Sequence, residues 1–216
     1  MPRKNYHHGD LKNTLVSAGI SILAKEGVAG LTLRKVARRA GVSHAAPYAH
    51  FSDKQALIAA ISTEGFKRLY DAMDSVISSY PDDPLKQLVA GAWAYVQFGV
   101  SDPDHYKVTF SGVLEKEKDY PAFVEISHRT FTRVVTIVKD CQQGKFLRQG
   151  SPEIMAVSIW GQLHGLVMLF IEGQISHTVL EQHSVQEMFM FALSQFMLVE
   201  IPMEILPVGK TSVLER

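Results

Sequence analysis

Polar side chains that can donate hydrogen bonds to anions are concentrated in residues 34–54. They include two imidazoles, two hydroxyl groups and three cations that we select as candidates: His44, His50, Ser43, Tyr48, Arg34, Lys35 and Lys54. Groups of this kind bind phosphate oxygens and the edges of nucleic-acid bases. The chemistry they indicate is therefore the recognition of a polyanion rather than catalysis.

Small side chains interrupt this set in the sequence SHAAPYAH, residues 43–50. A core helix would carry larger apolar residues, whereas Ala45 and Ala46 would let a helix backbone enter a groove closely. Pro47 costs little if it lies in the first turn of a helix capped by Ser43, because its missing N–H has no partner there to lose. The alternative interpretation is a tight helical corner with incidental basic residues.

The flanking residues predict a helix-turn-helix. Thr32 can cap a helix over residues 33–40, and Gly41 can end it with a positive φ. Ser43 then opens a third, short helix, with Val36, Val42 and Phe51 packing it against its neighbours. Ser52 and Gln55 have the spacing of a capping box and predict a long fourth helix to about residue 79.

The rest of the chain also indicates helices. Asp10 can cap a first helix that ends before Gly27. Proline stands at a predicted first helical position in Asp83-Pro84, Asp102-Pro103, Tyr120-Pro121 and Ser151-Pro152. Ser184 and Glu187 form another capping box. We predict an all-α protein with a three-helix DNA-binding domain (residues 1–54), a connecting helix (55–80) and a larger helical regulatory and dimerisation domain (81–216).

Charge is divided unequally along a chain whose net charge is zero. Residues 1–54 carry a net charge of +6 and the remainder carries −6, as expected if one end meets a polyanion. The single cysteine, Cys141, cannot form an internal disulfide, which favours the reducing cytoplasm. Residues 154–171 approach the length of a membrane span, but Gln162 and His164 interrupt them, and we predict a buried helix instead.

The segments AKEGVAGLT, LRKVARRAGVS and YAHFSDKQAL, within residues 10–57, together resemble the tetracycline-repressor (TetR) family of bacterial transcriptional regulators. The resemblance implies that some of these residues face bases: Arg34, His44, Ala45 and Ala46. It implies that others hold phosphates: Ser43, Tyr48, His50 and Lys54. Lys35 points outward in the same prediction. Arg3 and Lys4 either reach the adjacent minor groove or belong to an ordinary basic terminus.

Beyond residue 80, Trp160-Gly-Gln-Leu-His164-Gly165 resembles a Trp…His-Gly feature of one TetR subgroup. The resemblance implies a regulatory helical domain with a pocket and a dimer interface. Helices that are apolar on every side, at 154–171 and 188–199, predict a two-fold homodimer. The candidate ligand-binding residues are Trp93, Phe98, His128, Phe131, Trp160, His164 and Met168, although aromatic and Met residues at helical spacing more often belong to an ordinary core.

These features predict a repressor that binds a palindromic operator on double-stranded DNA and is released by a small, mainly apolar effector. The alternatives are an activator and an effector-independent or architectural DNA-binding protein. We expect neither catalytic nor metal-binding residues, and no cofactor, because no Ser-His-acid order, glycine-rich phosphate loop or metal-ligand spacing is present. His7-His8 is a poor metal site by itself.

Overall fold

The computed structural model describes residues 8–201 and 203–206. Arg3, Lys4 and His7 lie outside this range. Within it the chain forms nine α-helices and no β-strand beyond an isolated bridge between Leu147 and Met197, so the all-α prediction is confirmed. The helices are α1 (His8–Gly30), α2 (Leu33–Ala40), α3 (Lys54–Ile77), α4 (Pro84–Ser101), α5 (Pro103–Thr109), α6 (Pro121–Gln143), α7 (Pro152–Ile171), α8 (His177–Gln182) and α9 (Val185–Ser194).

Proline and short polar side chains set most helix starts. Helices α4, α5, α6 and α7 each begin at the proline predicted to open them. The Asp83 carboxylate accepts a hydrogen bond from the Lys86 backbone N–H, 3.0 Å away, and the Ser151 hydroxyl accepts one from Ile154. At α9 the predicted capping box of Ser184 and Glu187 is complete.

Two predicted helix ends differ from the structure. Helix α1 begins at His8, before the predicted cap Asp10, and continues to Gly30 across a break at Gly27, where φ is 65°. Ser52 does not cap the fourth helix. Instead Asp53 accepts a hydrogen bond from the Ala56 N–H, 2.8 Å away, and α3 starts at Lys54. A carboxylate competes well for this position because it also interacts favourably with the helix dipole.

The chain divides into two compact units. Among the described residues, the first contains 8–67 and 104–127, and the second contains 68–103, 128–201 and 203–206. The boundaries fall within α3 and α6 and directly after Pro103, the first residue of α5.

The core of the first unit joins distant parts of the sequence. Leu15, Val36 and Leu57 of the first three helices are fully buried, and Leu114 and Phe123 lie in the same cluster. Helices α3 and α5 approach closely at Gly65, because a side chain there would overlap the Thr109 hydroxyl.

The second unit is centred on α4. Almost all of α4 from Gln87 to Gly99 is buried, and the Trp93 ring packs 5.1 Å from the ring of Phe189 on α9. Helix α7 packs on both α4 and α9.

Helix α7 is not buried as predicted. Only Ala156, Ile159, Leu163 and Val167 are buried, whereas Ile154 is 70% exposed. By length and composition α7 is the one helix in the described ranges that could cross a membrane, and 22% of its apolar window is buried. A helix that is apolar all round needs two partners, and this chain covers only one side of it.

Candidate nucleic-acid interface and regulatory site

Helix α2 and its turn are fixed by local backbone contacts. The Thr32 hydroxyl accepts a hydrogen bond from the Lys35 N–H, 3.1 Å away. Gly41 follows with φ 69°, and its N–H bonds back to the end of the helix. Ala37 is fully buried where α2 crosses its neighbours. The predicted cap and turn are therefore confirmed.

The segment after the turn is less regular than predicted. Instead of an α-helix opened by Ser43, it forms successive tight turns that end in a 3₁₀ helix, Ala46–Ala49. The Ser43 carbonyl accepts the Ala46 N–H at 3.0 Å, and the Pro47 carbonyl accepts the Phe51 N–H at 2.9 Å. Proline cannot supply the N–H that a longer α-helix would need here.

The small residues of this segment point in different directions. Pro47 is buried within the first unit, whereas Ala45 is exposed and Ala46 is half-buried. Tyr48 is 62% exposed although it is a large aromatic residue. We call residues 43–50 the recognition segment.

The predicted DNA-binding side chains lie within the first unit. Arg34, Ser43, His44, Ala45 and Tyr48 are exposed, while Lys35, Ala46, His50 and Lys54 are half-buried. This surface lies on α2, the recognition segment and the first turn of α3. It presents hydrogen-bond donors from three consecutive elements.

Lys35 already has an anionic partner within the chain. Its ammonium group lies 2.6 Å from the Glu26 carboxylate on α1. The Lys35 hydrogen bond and charge lower the pKa of Glu26. Nearby, the Arg39 guanidinium donates to the Ser21 hydroxyl. Two cations of α2 therefore tie this helix to α1.

Lys54 stands at the start of α3, next to the capping Asp53. The Asp53 carboxylate takes the Ala56 N–H, so part of the helix terminus is already satisfied. The Lys54 side chain is a half-buried cation at this terminus, and its contact with phosphate stays a prediction.

In the second unit, two predicted ligand-binding residues meet through a third that sequence reasoning missed. The Trp160 indole N–H donates to the Tyr95 hydroxyl at 3.0 Å. The same hydroxyl lies 2.9 Å from Nδ1 of His164. Burial lowers the pKa of His164, which agrees with a neutral imidazole that accepts the Tyr95 proton at Nδ1. The available signal was a tyrosine within the apolar run of α4.

The other predicted ligand-binding residues occupy varied environments. Trp93 and Phe98 are buried on α4, whereas His128 is exposed on α6. Phe131 and Met168 are half-buried. Their role in binding a ligand stays a prediction.

An apolar groove of about 710 Å³ lies between α7 and α9. Gly161 and Gly165 form part of its floor, and a side chain added at either would meet open space. Phe191, at its α9 side, is 71% exposed. The two glycines are therefore not required by packing within this chain.

Potential metal ligands and the Cys141 thiol are two further chemical features of the described residues. No cluster of three His, Cys, Asp or Glu side chains able to hold a metal ion occurs among them. The Cys141 thiol is buried and donates to the Pro84 carbonyl, 3.1 Å away. Burial raises its pKa to about 12, so it is a poor nucleophile at neutral pH.

Comparisons with known proteins agree with this architecture. A family model described as "Bacterial regulatory proteins, tetR family" matches residues 15–61, and one described as "Tetracyclin repressor-like, C-terminal domain" matches residues 88–196. The chain is 30% identical over 112 residues to YobS, an uncharacterised helix-turn-helix-type transcriptional regulator of Bacillus subtilis. That match covers 51% of this chain and 57% of the relative, so the chain spans little more than half of the relative's length.

Solved structures share the fold over most of the chain. A protein of unknown function from Rhodococcus sp. RHA1 is 31% identical, with a TM-score of 0.71 over 90% of this chain and 97% of the other. A TetR-family transcription regulator from Marinobacter aquaeolei VT8 is 17% identical, with a TM-score of 0.67 over 87% and 95% of the two chains. The first unit's helix-turn-helix, the helical remainder and the match over half of the chain lead to one conclusion: this protein belongs to the TetR family of transcriptional regulators.

Proposed function

We propose that this regulator is a ligand-responsive repressor that binds a palindromic operator as a homodimer and is released by a small, mainly apolar effector. The observation that carries the proposal is the exposed row of donors on the helix-turn-helix. Arg34, His44 and Tyr48 are exposed on α2 and the recognition segment, whereas Pro47 is buried. Arg34 and His44 are assigned to bases, and Ser43, Tyr48, His50 and Lys54 to phosphates.

The homodimer is supported by the apolar surface of α7 and α9. Ile154 and Phe191 are each about 70% exposed and Leu169 is 45% exposed. A surface of this kind marks an interaction site. We assign it to a second copy rather than to a membrane, because Ser158 and Gln162 lie exposed on α7 and two DNA-binding units must be joined to read a palindrome.

The effector is assigned to the second unit. The hydrogen-bonded set of Tyr95, Trp160 and His164 offers polar groups beside aromatic surface, which fits an apolar molecule with one polar group. In the proposed mechanism the effector displaces α3, so that the two DNA-binding heads no longer fit successive grooves. A nearly complete switch requires a differential affinity of about 5.5 kcal/mol.

In this proposal residues 1–54 bind DNA and residues 55–80 form a connecting helix. Residues 81–216 bind the effector and form the dimer. We also assign the protein to the cytoplasm, because the proposed partner is DNA. The TetR family is not an enzyme family, and no catalytic role is proposed.

Genome-wide mapping of binding sites, followed by footprinting on purified DNA, tests the proposal. A regulator should protect one palindromic site near a promoter, whereas an architectural protein should coat DNA with little sequence preference. Transcription from that promoter, measured with and without the protein, distinguishes a repressor from an activator. If the purified protein bound no DNA duplex at low ionic strength, the proposal would be wrong.

A thermal-shift screen tests the effector. Apolar and aromatic compounds with one polar group should raise the melting temperature and release the operator. If only strongly charged compounds did so, the assignment of an apolar effector would be wrong. Tyr95→Phe should reduce the response more than Thr136→Ala, a change at an exposed position of α6.

A further inference from the structure

The middle of the recognition segment presents hydrocarbon rather than hydrogen-bonding groups. Between His44 and Tyr48 the side chains are those of Ala45, Ala46 and Pro47. Pro47 is buried, so the outward surface there consists of the methyl groups of the two alanines, one exposed and one half-buried. Neither methyl group can read a hydrogen-bond donor or acceptor.

The backbone of the same stretch does not replace the missing donors. The Ala46 N–H is bonded to the Ser43 carbonyl, 3.0 Å away, and the Tyr48 N–H is bonded to the Ala45 carbonyl at 3.2 Å. Pro47 has no N–H. From residue 46 to residue 48 the main-chain donors are therefore already used or absent.

A base pair offers one apolar feature in the major groove, which is the 5-methyl group of thymine. The amino-terminal residues of a recognition helix are those that contact base edges. Small side chains also let the backbone approach, so that two methyl groups can reach contact distance. A hydrocarbon surface at this position is complementary to the thymine methyl group and offers no hydrogen bond to the polar edges of the other bases.

We infer that Ala45 and Ala46 read thymine by its 5-methyl group, so that each operator half-site carries at least one thymine selected through methyl contact rather than through a hydrogen bond. This inference rests on the proposed function, because it names the DNA that the repressor prefers. The polar base contacts in each half-site are assigned to Arg34 and His44.

The test begins with the full-length protein and a random pool of duplexes, from which the preferred operator is selected at fixed ionic strength. Each thymine of one half-site is then replaced singly by deoxyuridine, which removes only the methyl group. At one or two positions the dissociation constant should rise about fourfold, as expected for uncovering one methyl group. The remaining thymines should tolerate the change.

Protein variants locate the contact. With Ala45→Gly or Ala46→Gly the natural operator should bind about fourfold more weakly, and deoxyuridine at the sensitive position should then have no further effect. Ala122→Gly, at an exposed alanine of α6 outside the recognition segment, should retain the full sensitivity to deoxyuridine. Melting temperatures verify that each variant is folded.

Three results would decide against the inference or its basis. If the selected operator tolerates deoxyuridine at every position, or if both glycine variants lose as much affinity on deoxyuridine as the natural protein does, the methyl contact is excluded while the regulator stands. If selection enriches no sequence at all, the proposed function itself fails. Because deoxyuridine changes only the DNA, the first result does not depend on the folding of any variant.

Discussion

Single cations of the DNA-binding unit differ in how much of their charge remains available. Lys35 forms an ion pair with Glu26 at 2.6 Å, whereas Lys54 follows the capping Asp53 and retains its own side chain for an outside partner. If the Lys35–Glu26 ion pair persists when DNA binds, Lys35 neutralises no phosphate and releases no counterion from the DNA. Lys54 is therefore the better candidate for a phosphate contact.

Lys54→Ala should weaken binding to every DNA sequence and reduce the slope of log affinity against log salt by about one. Titrations of operator and random DNA at several salt concentrations measure both effects. Lys139→Ala, at an exposed lysine of the second unit, provides the matched control and should leave the slope unchanged. An unaltered slope for Lys54→Ala would exclude a phosphate contact. Arg34→Ala should instead relax the preference at defined bases.

His164 predicts a pH dependence of stability. Burial lowers its pKa in the folded protein, so the unfolded chain binds a proton in a pH window where the folded chain does not. The contribution of His164 to stability is therefore present above the unfolded pKa, about 6.5, and is lost as pH falls below that value towards the folded pKa.

Thermal unfolding at pH 7.5 and pH 5.5 measures this effect. His164→Gln should make the fall in melting temperature smaller than in the natural protein, while His128→Gln, at an exposed histidine, should not. If the melting temperature fell equally in both variants, burial of His164 would not be the cause of the pH dependence.

At the scale of elements, the helix-turn-helix is not built from its own sequence alone. Leu114, which precedes α6, and Phe123, on α6, lie in the same buried cluster as Leu15 and Val36. The Glu115 backbone N–H also donates to the Gln55 side chain on α3, 3.1 Å away. Residues 104–127 thus support the DNA-binding helices from within the first unit.

Leu114→Ala should destabilise the first unit by about 2–5 kcal/mol, since it removes buried volume that its neighbours cannot refill. Amide hydrogen exchange should accelerate in α1 and α2, and operator affinity should fall with it. Leu180→Ala, at an exposed leucine of α8, should change exchange little. Protection of α1 that is unaffected by Leu114→Ala would indicate that these helices fold independently of residues 104–127.

At the scale of the whole molecule, the uncovered surface of α7 and α9 decides the proposed assembly. Ala156 and Ile159 face the interior, while Ile154 and Val157 face outward on the same helix. Gly161 and Gly165 line the groove, and the space next to them is not filled by this chain. A second copy of the chain could pack its own α9 there.

Phe191→Glu should convert a dimer into a folded monomer, because a carboxylate at the centre of an apolar interface would be buried without a partner. Analytical ultracentrifugation measures the change in mass, and circular dichroism verifies the helical content. Affinity for a palindrome should fall towards that for one half-site. Thr136→Glu, at an exposed site on α6, should stay dimeric. A dimeric Phe191→Glu variant would place the interface elsewhere.

Some expectations from sequence failed for identifiable reasons. Ser52 has the spacing of a cap, yet Asp53 occupies the position because its carboxylate reaches the Ala56 N–H. The apolar composition of residues 154–171 predicts burial, but composition does not tell whether the covering surface belongs to the same chain. Ser43 does not cap the short helix after Gly41, because its carbonyl group accepts the Ala46 N–H and the helix begins only at Ala46.

The sequence by itself determined the all-helical class, the proline starts of four helices, the Thr32 cap and the Gly41 turn. These features act through the backbone of immediate neighbours, so local residue types are sufficient to specify them. Only the tertiary structure decided that Glu26 pairs with Lys35, that Leu114 completes the core of the first unit, and that Tyr95 joins Trp160 to His164. Tyr95 lies 65 positions before Trp160 and 69 positions before His164 in the sequence. Such distant residues meet only when helices pack, which no local pattern encodes.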